Sequence, residues 1–266
     1  MRKAERKFEL RAPSPQAAVD IFAGRWATDL SHLLPVAPTG GAAMATDPRP
    51  HYALKHFAGP DGTLAGKRVL ELGPLEAGHS HRLEQLGAEV LAVEANAEAY
   101  LKCLILKELL GLERTRFLFG DFMEYMKLSA ETFDLVFASG VLYHSSDPAE
   151  LIRLAAQRAP GLFLWTHVYA PGRWRFPRSA AVVRDGLELT YHQRTYRNRS
   201  SGTFWGGNHQ TACLLSREDL LRVLAHNGYV HIDIHREEPD HPLSARRRGS
   251  GRGLGGGRAL RGGCRC

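Results

Sequence analysis

Four cysteines in 266 residues, two of them Cys264 and Cys266, are too few to frame a disulfide-stapled fold. No apolar run approaches the roughly 18 residues that a membrane span needs. The opening MRKAERKFEL is charged but lacks the apolar stretch of a signal peptide. These absences lead us to expect a reduced, cytoplasmic protein that does not engage a membrane. Acidic residues are missing after position 242, where Arg246, Arg247, Arg248, Arg252, Arg258, Arg261 and Arg265 stand. The net charge of +7 resides entirely there, and the rest of the chain is balanced at 28 basic and 28 acidic residues. A high overall pI is therefore no argument for nucleic acid. Metal-ligand spacing is missing too. His79 and His81 are i,i+2 and do not share a helix face, and Cys264 and Cys266 are too few for a zinc site, so no metal is expected.

What is present is an alternation of two textures. RVLEL (68–72), AEVLAVEAN (88–96), TRFLFGD (115–121), FDLVFASGV (133–141) and PGLFLWTHVY (160–169) read as strands. They are apolar throughout rather than alternating, as in a parallel sheet covered on both faces. Helical patterns lie near 78–86, at 97–111 and at 147–157. The fold class is thus α/β, a doubly wound, mostly parallel sheet with helices on both faces. Residues 15–30 and PHYALKHF (50–57) form a helical N-terminal extension over 1–65, taken as a lid. Residues 170–212 interrupt the alternation with interleaved aromatics and arginines, which reads as a cap over a substrate within a 66–242 domain. Next comes a helix capped by Ser216, with Gly228 at its end, and then VHIDIHRE as a sixth strand.

Ligands of parallel sheets bind outside the strands' carboxyl ends. There the first strand runs into VLELGPLEAGHS (69–80), with Glu71, Gly73 and Gly78. Glu94 closes the second strand, where a carboxylate can accept from ribose hydroxyls. The loop lacks G-x-G-x-x-G, and Glu71 would repel a pyrophosphate. A cationic cofactor without phosphate fits better, and a nicotinamide-dependent oxidoreductase is disfavoured.

Over residues 66–236 the chain resembles the class I S-adenosylmethionine-dependent methyltransferases, which are Rossmann-like. VLELGPLEAGHS is similar to their first motif, VLAVEAN to the second, FGDF to the adenine segment and FDLVFASGVLYHSSDP to the fourth-strand motif. Leu75 and Ala77 stand where the family usually has glycine. The resemblance implies S-adenosyl-L-methionine as cofactor, met by Glu71, Gly73, Gly78, Glu94, Asp121, Phe122 and Ser139. It places Tyr143 and His144 at the mouth as candidate catalytic residues. Trp26, Tyr191, Arg194 and Trp205 are candidates for the substrate. The acceptor is expected to be a small molecule or glycan. GVLYH followed by a polar stretch and proline is also similar to tRNA-wobble-uridine carboxymethyltransferases, so tRNA is the alternative acceptor. A non-catalytic cofactor-binding scaffold is the reading from another class. Residues 243–266 are read as a disordered Arg/Gly tail in place of the family's seventh strand, with RNA binding or a slipped reading frame as alternatives.

Overall fold

The computed structural model describes residues 8–42, 46–171, 178–195 and 209–237. Five parallel strands form the central sheet: β1 (Arg68–Leu72), β2 (Glu89–Glu94), β3 (Thr115–Phe119), β4 (Leu135–Ser139) and β5 (Gly161–Trp165), in the order β3-β2-β1-β4-β5. Side chains alternate between the two faces. Leu70, Leu72, Val136 and Ala138 join one buried cluster, while Val69, Val90, Ala92, Leu135 and Phe137 join the other. By the same alternation Glu71 falls on the face of Val69, and Ser139 on the face of Phe137.

The crossovers are α3 (Gly78–Gln85), α4 (Ala97–Leu110), α5 (Phe122–Leu128) and α6 (Pro148–Arg158). Side-chain caps start three of them: Asn96 accepts from Ala99 N, Asp121 from Met123 N and Glu124 N, and Asp147 from Glu150 N. Strand order reverses between β1 and β4, which opens a crevice at their carboxyl ends. None of the described helices is long and apolar enough to cross a membrane.

The N-terminal segment departs from the expected single helix over 15–30. It forms α1 (Pro15–Val19), a 3-10 turn to Phe22, a second 3-10 turn at Leu30–His32 and, later, α2 (Arg49–Phe57). Gly24, at φ +73°, turns the chain back. Val19, Phe22, Trp26, Leu30 and Leu34 are buried in the same cluster as Val69 and Phe137. Trp26 is therefore a core residue, and its Nε1 donates to the Val19 carbonyl at 2.8 Å. It does not have the exposed placement expected of a substrate-facing aromatic, because its indole gains more from burial than the surface offers.

Beyond β5 the chain leaves the sheet. β6 (Arg178–Arg184), β7 (Leu187–Thr195) and β8 (Thr211–Leu214) make a separate antiparallel sheet in the order β6-β7-β8. Asp185–Gly186 turns the first hairpin with both residues at positive φ, the conformation that a two-residue Asp-Gly turn favours. α7 (Arg217–His226) begins at the Ser216 cap, and Gly228 follows its end at φ +88°, as the sequence led us to expect. VHIDIHRE forms no strand. Residues 230–237 lack regular structure and leave Val230 76% exposed. The two-residue alternation is present there, but a strand also needs a ladder partner. His235 lies on the Tyr52 ring instead, and Asp233 pairs with His56. Residues 238–266, Trp205 and much of the aromatic–arginine stretch lie outside the described residues.

Candidate active site

The loop after β1 sits at the strand reversal. Gly73 has φ +64°, and a Cβ there would lie 3.0 Å from Val141 Cγ1, so glycine alone fits easily. Leu75 (φ +57°) and Ala77 (φ +54°) adopt the same left-handed conformation without being glycine. The loop therefore keeps the turn expected of glycines at a cost of roughly 1–2 kcal/mol per residue. Leu75→Gly should raise unfolding free energy by about 1 kcal/mol, read from chemical denaturation, since strain relief exceeds the added chain entropy. A loss of stability would show that Leu75 is not strained.

Glu94 restrains this loop. Its Oε2 accepts from Leu75 N at 3.1 Å and its Oε1 from Asn96 N at 2.8 Å. Each oxygen retains a lone pair for a further donor. Burial raises its pKa while the backbone hydrogen bonds oppose the rise. Asp121, at the end of β3, holds the start of α5 through Met123 N at 2.6 Å, and Phe122 is the first residue of that helix. Two carboxylates and an aromatic thus line the ends of β2 and β3. Glu94→Ala should weaken S-adenosylhomocysteine binding at least tenfold by calorimetry, about 1.4 kcal/mol, on the scale of one charge-assisted hydrogen bond. Unchanged affinity would remove Glu94 from the cofactor site.

Glu71 turns inward. It is 1% exposed and lies beneath α3, where Ser80 Oγ donates to it at 2.5 Å. Burial, with some help from the charge of Glu94, pushes its carboxyl up to about 7 against the Ser80 hydrogen bond. The direct cofactor contact expected of it is not what the fold presents. Gly78 is buried as the first residue of α3.

A second network had no signal in the sequence. His79 Nε2 lies 3.3 Å from Asp47 Oδ2, off the line of a good hydrogen bond, and its Nδ1 is 4.0 Å from Glu71. Asp47 in turn accepts from Arg49 Nε at 2.8 and 2.9 Å and from its Nη2. Arg49 Nη1 donates to Ser139 Oγ at 2.9 Å, and its Cζ sits 4.8 Å from the Trp165 ring centre. Burial opposes charge on Asp47 most strongly, but the hydrogen-bonded Arg49 guanidinium outweighs it and holds the carboxyl well below its usual range. Burial keeps His79 neutral. Arg49 and Ser139 are 90 residues apart, so no local pattern could join them.

The mouth is aromatic. Tyr143 and His144, on a 3-10 turn after β4, have rings 4.2 Å apart. His167 is 4.5 Å from Tyr143 and 5.3 Å from Trp165. Burial chiefly, with Arg194 and His167 nearby, pushes His144 down to about 4, so its ring is neutral at physiological pH. Arg194 stands exposed near the end of β7. Tyr191 differs from its expected place on the substrate. It is 2% exposed, its hydroxyl donates to Asp147 at 2.5 Å, and it ties the β6–β8 sheet to the start of α6.

The donor set suits a nucleoside that is cationic and lacks phosphate. Glu94 ends β2, Asp121 stands two residues past β3, and the backbone at Gly73 lies so close to Val141 that a Cβ would press on it. Comparison agrees. Residues 64–246 match the methyltransferase-domain family model. A tRNA U34 carboxymethyltransferase of Desulfotalea psychrophila is 34% identical over 192 residues, 71% of this chain and 51% of that protein. The chain thus spans about half that relative's length. The N-terminal domain of EvdMO1 with SAH bound has a similar fold, with TM-score 0.64 at 21% identity over 84% of this chain and 89% of that one. The same domain in the presence of SAH and D-fucose gives 0.60 at 22% identity, over 77% and 81%. With its sheet order, its site and this family match together, the chain belongs to the methyltransferase-domain family as a class I S-adenosylmethionine-dependent methyltransferase.

Proposed function

We propose that the chain methylates a small-molecule or glycan acceptor held against the turn at 142–144, beneath the β6–β8 sheet. The observation that carries this reading is the cluster of Tyr143, Trp165 and His167 beside the end of β4, side chains of the kind that pack against a sugar or planar ring. The neighbouring fold crystallised with D-fucose is in keeping with it. Bound S-adenosylmethionine supplies the electrophilic methyl group. The chain supplies position, and holding nucleophile and methyl in line accounts for roughly 7–11 kcal/mol of barrier. His144, neutral at physiological pH, is the candidate to take a proton from an acceptor hydroxyl, with Tyr143 beside it. Arg194 is the candidate for the acceptor's rim. A second reading, transfer to tRNA, is favoured by the 34% identical relative.

The experiment is transfer of labelled methyl from S-adenosylmethionine into a panel of sugar nucleotides, glycans and metabolite extracts, beside unmodified tRNA. Label in the small-molecule or glycan fraction is the expected result. Label confined to tRNA would replace this reading with the second. Binding of cofactor without label in any fraction would favour a scaffold.

A further inference from the structure

We infer that Arg49 holds the carboxylate of the cofactor's methionine end, with Asp47 as its positioning residue. The inference rests on the methyltransferase assignment. The methionine end of S-adenosylmethionine is a zwitterion, so its carboxylate requires a cation or a set of N–H donors. The strand reversal between β1 and β4 is the place where a parallel sheet of this order receives its ligand. Glu71, the charged residue that the sequence offers there, faces α3 and carries the wrong sign for a carboxylate.

Arg49 comes from outside the sheet to that place. Its Nη1 reaches Ser139, the last residue of β4, on the face that also carries Glu71. A guanidinium has five N–H donors in a fixed fork. Nε and Nη2 engage Asp47, and Nη1 gives one hydrogen to Ser139. Two N–H groups remain, one on each terminal nitrogen, as donors for a carboxylate. The group is also held in place. The Arg49 side chain is 20% exposed, that of Asp47 11% and that of His79 6%, and Trp165 covers one guanidinium face. Asp47 offsets the cost of keeping this cation out of water and fixes the plane of the fork. A surface ion pair serving only to attach α2 would not need a buried histidine behind it or an aromatic face over it.

The test compares ligands with and without the carboxylate. S-adenosylhomocysteine carries it. 5′-Methylthioadenosine keeps the nucleoside and the thioether but lacks the amino-acid end. By calorimetry, Arg49→Gln should weaken S-adenosylhomocysteine at least thirtyfold and 5′-methylthioadenosine less than threefold. Asp47→Asn should weaken S-adenosylhomocysteine by a smaller factor, again with 5′-methylthioadenosine nearly unchanged. The carboxamide of S-adenosylhomocysteine should bind wild type and Arg49→Gln alike, which isolates the pairwise interaction. If Arg49→Gln does not fold, Arg49→Lys serves in its place and should show the same selective loss at a smaller size. Equal loss for both ligands would make Arg49 a structural residue and overturn the inference. No loss for either would also overturn it. Failure of wild type to bind either ligand would instead overturn the cofactor assignment itself, and the inference with it.

Discussion

Lys102→Met is expected to destabilise the protein by about 3–5 kcal/mol, the usual cost of breaking a buried ion pair from one side. Lys102 Nζ lies 2.9 Å from Glu76 Oε1 and 3.2 Å from Glu98 Oε1, and it also donates to the Arg25 carbonyl. Its side chain is 6% exposed and that of Glu76 1%. The rings of Trp26 and Phe22 lie 5.2 and 5.6 Å from the ammonium. Glu76 belongs to the loop after β1, and its carboxylate also accepts from Ala27 N at 3.0 Å and Thr28 N at 2.8 Å. One buried pair thus ties the N-terminal segment to the loop after β1 and to α4. Removing the ammonium leaves the carboxylate with backbone donors and no countercharge. The melting temperature should fall by roughly 10 °C. Glu76→Gln combined with Lys102→Met should recover part of that loss, because no charge is then buried alone. A drop below about 1 kcal/mol in Lys102→Met would show the pair to be solvated. The same contacts predict that deletion of residues 1–60 unfolds the domain rather than uncovering a site, since Val19, Phe22, Trp26, Leu30 and Leu34 belong to its core.

Glu71→Gln should stabilise the protein at pH 8 and leave it unchanged near pH 4. The wild-type carboxyl titrates at about 7 in the fold, against 4.5 when unperturbed, because burial disfavours its charge. For a group raised on folding, the contribution to stability is complete below the unfolded value. It is lost as pH rises through the folded value. The window is therefore pH 4.5 to 7, and the loss across it is about 3 kcal/mol. Glutamine stays neutral and can still accept from Ser80, so its stability should be flat over that range. Denaturation at pH 5 and pH 8 measures the difference. An equal gap at both values would show that Glu71 does not titrate there. S-adenosylhomocysteine affinity of the same variant shows whether this buried residue bears on the cofactor at all.

All five parallel strands were legible because their cause is local. Runs such as RVLEL and EVLAVE are apolar on both faces, which suits burial under helices on either side. The caps at Asn96, Asp121, Asp147 and Ser216 were likewise within reach of sequence, since each cap and its amide lie two or three residues apart. Leu75 and Ala77 are a harder case. Their side chains disfavour the conformation they hold, and Glu94, 19 residues on from Leu75, keeps the loop in place. VHIDIHRE failed as a strand for the opposite reason, with local pattern present and no ladder partner among the described residues.

The sequence by itself determined the fold class, the order of the five parallel strands and the carboxylates at or just past the ends of β2 and β3. Those depend on periodicity, capping and position along a strand, all of which act over a few residues. Tertiary structure alone decided that Trp26 and Tyr191 are buried and that Glu71 faces α3. It also decided that Asp47, Arg49, His79 and Ser139 meet. These outcomes depend on which surfaces come together, and a side chain buries or pairs according to neighbours that stand tens of residues away in the chain.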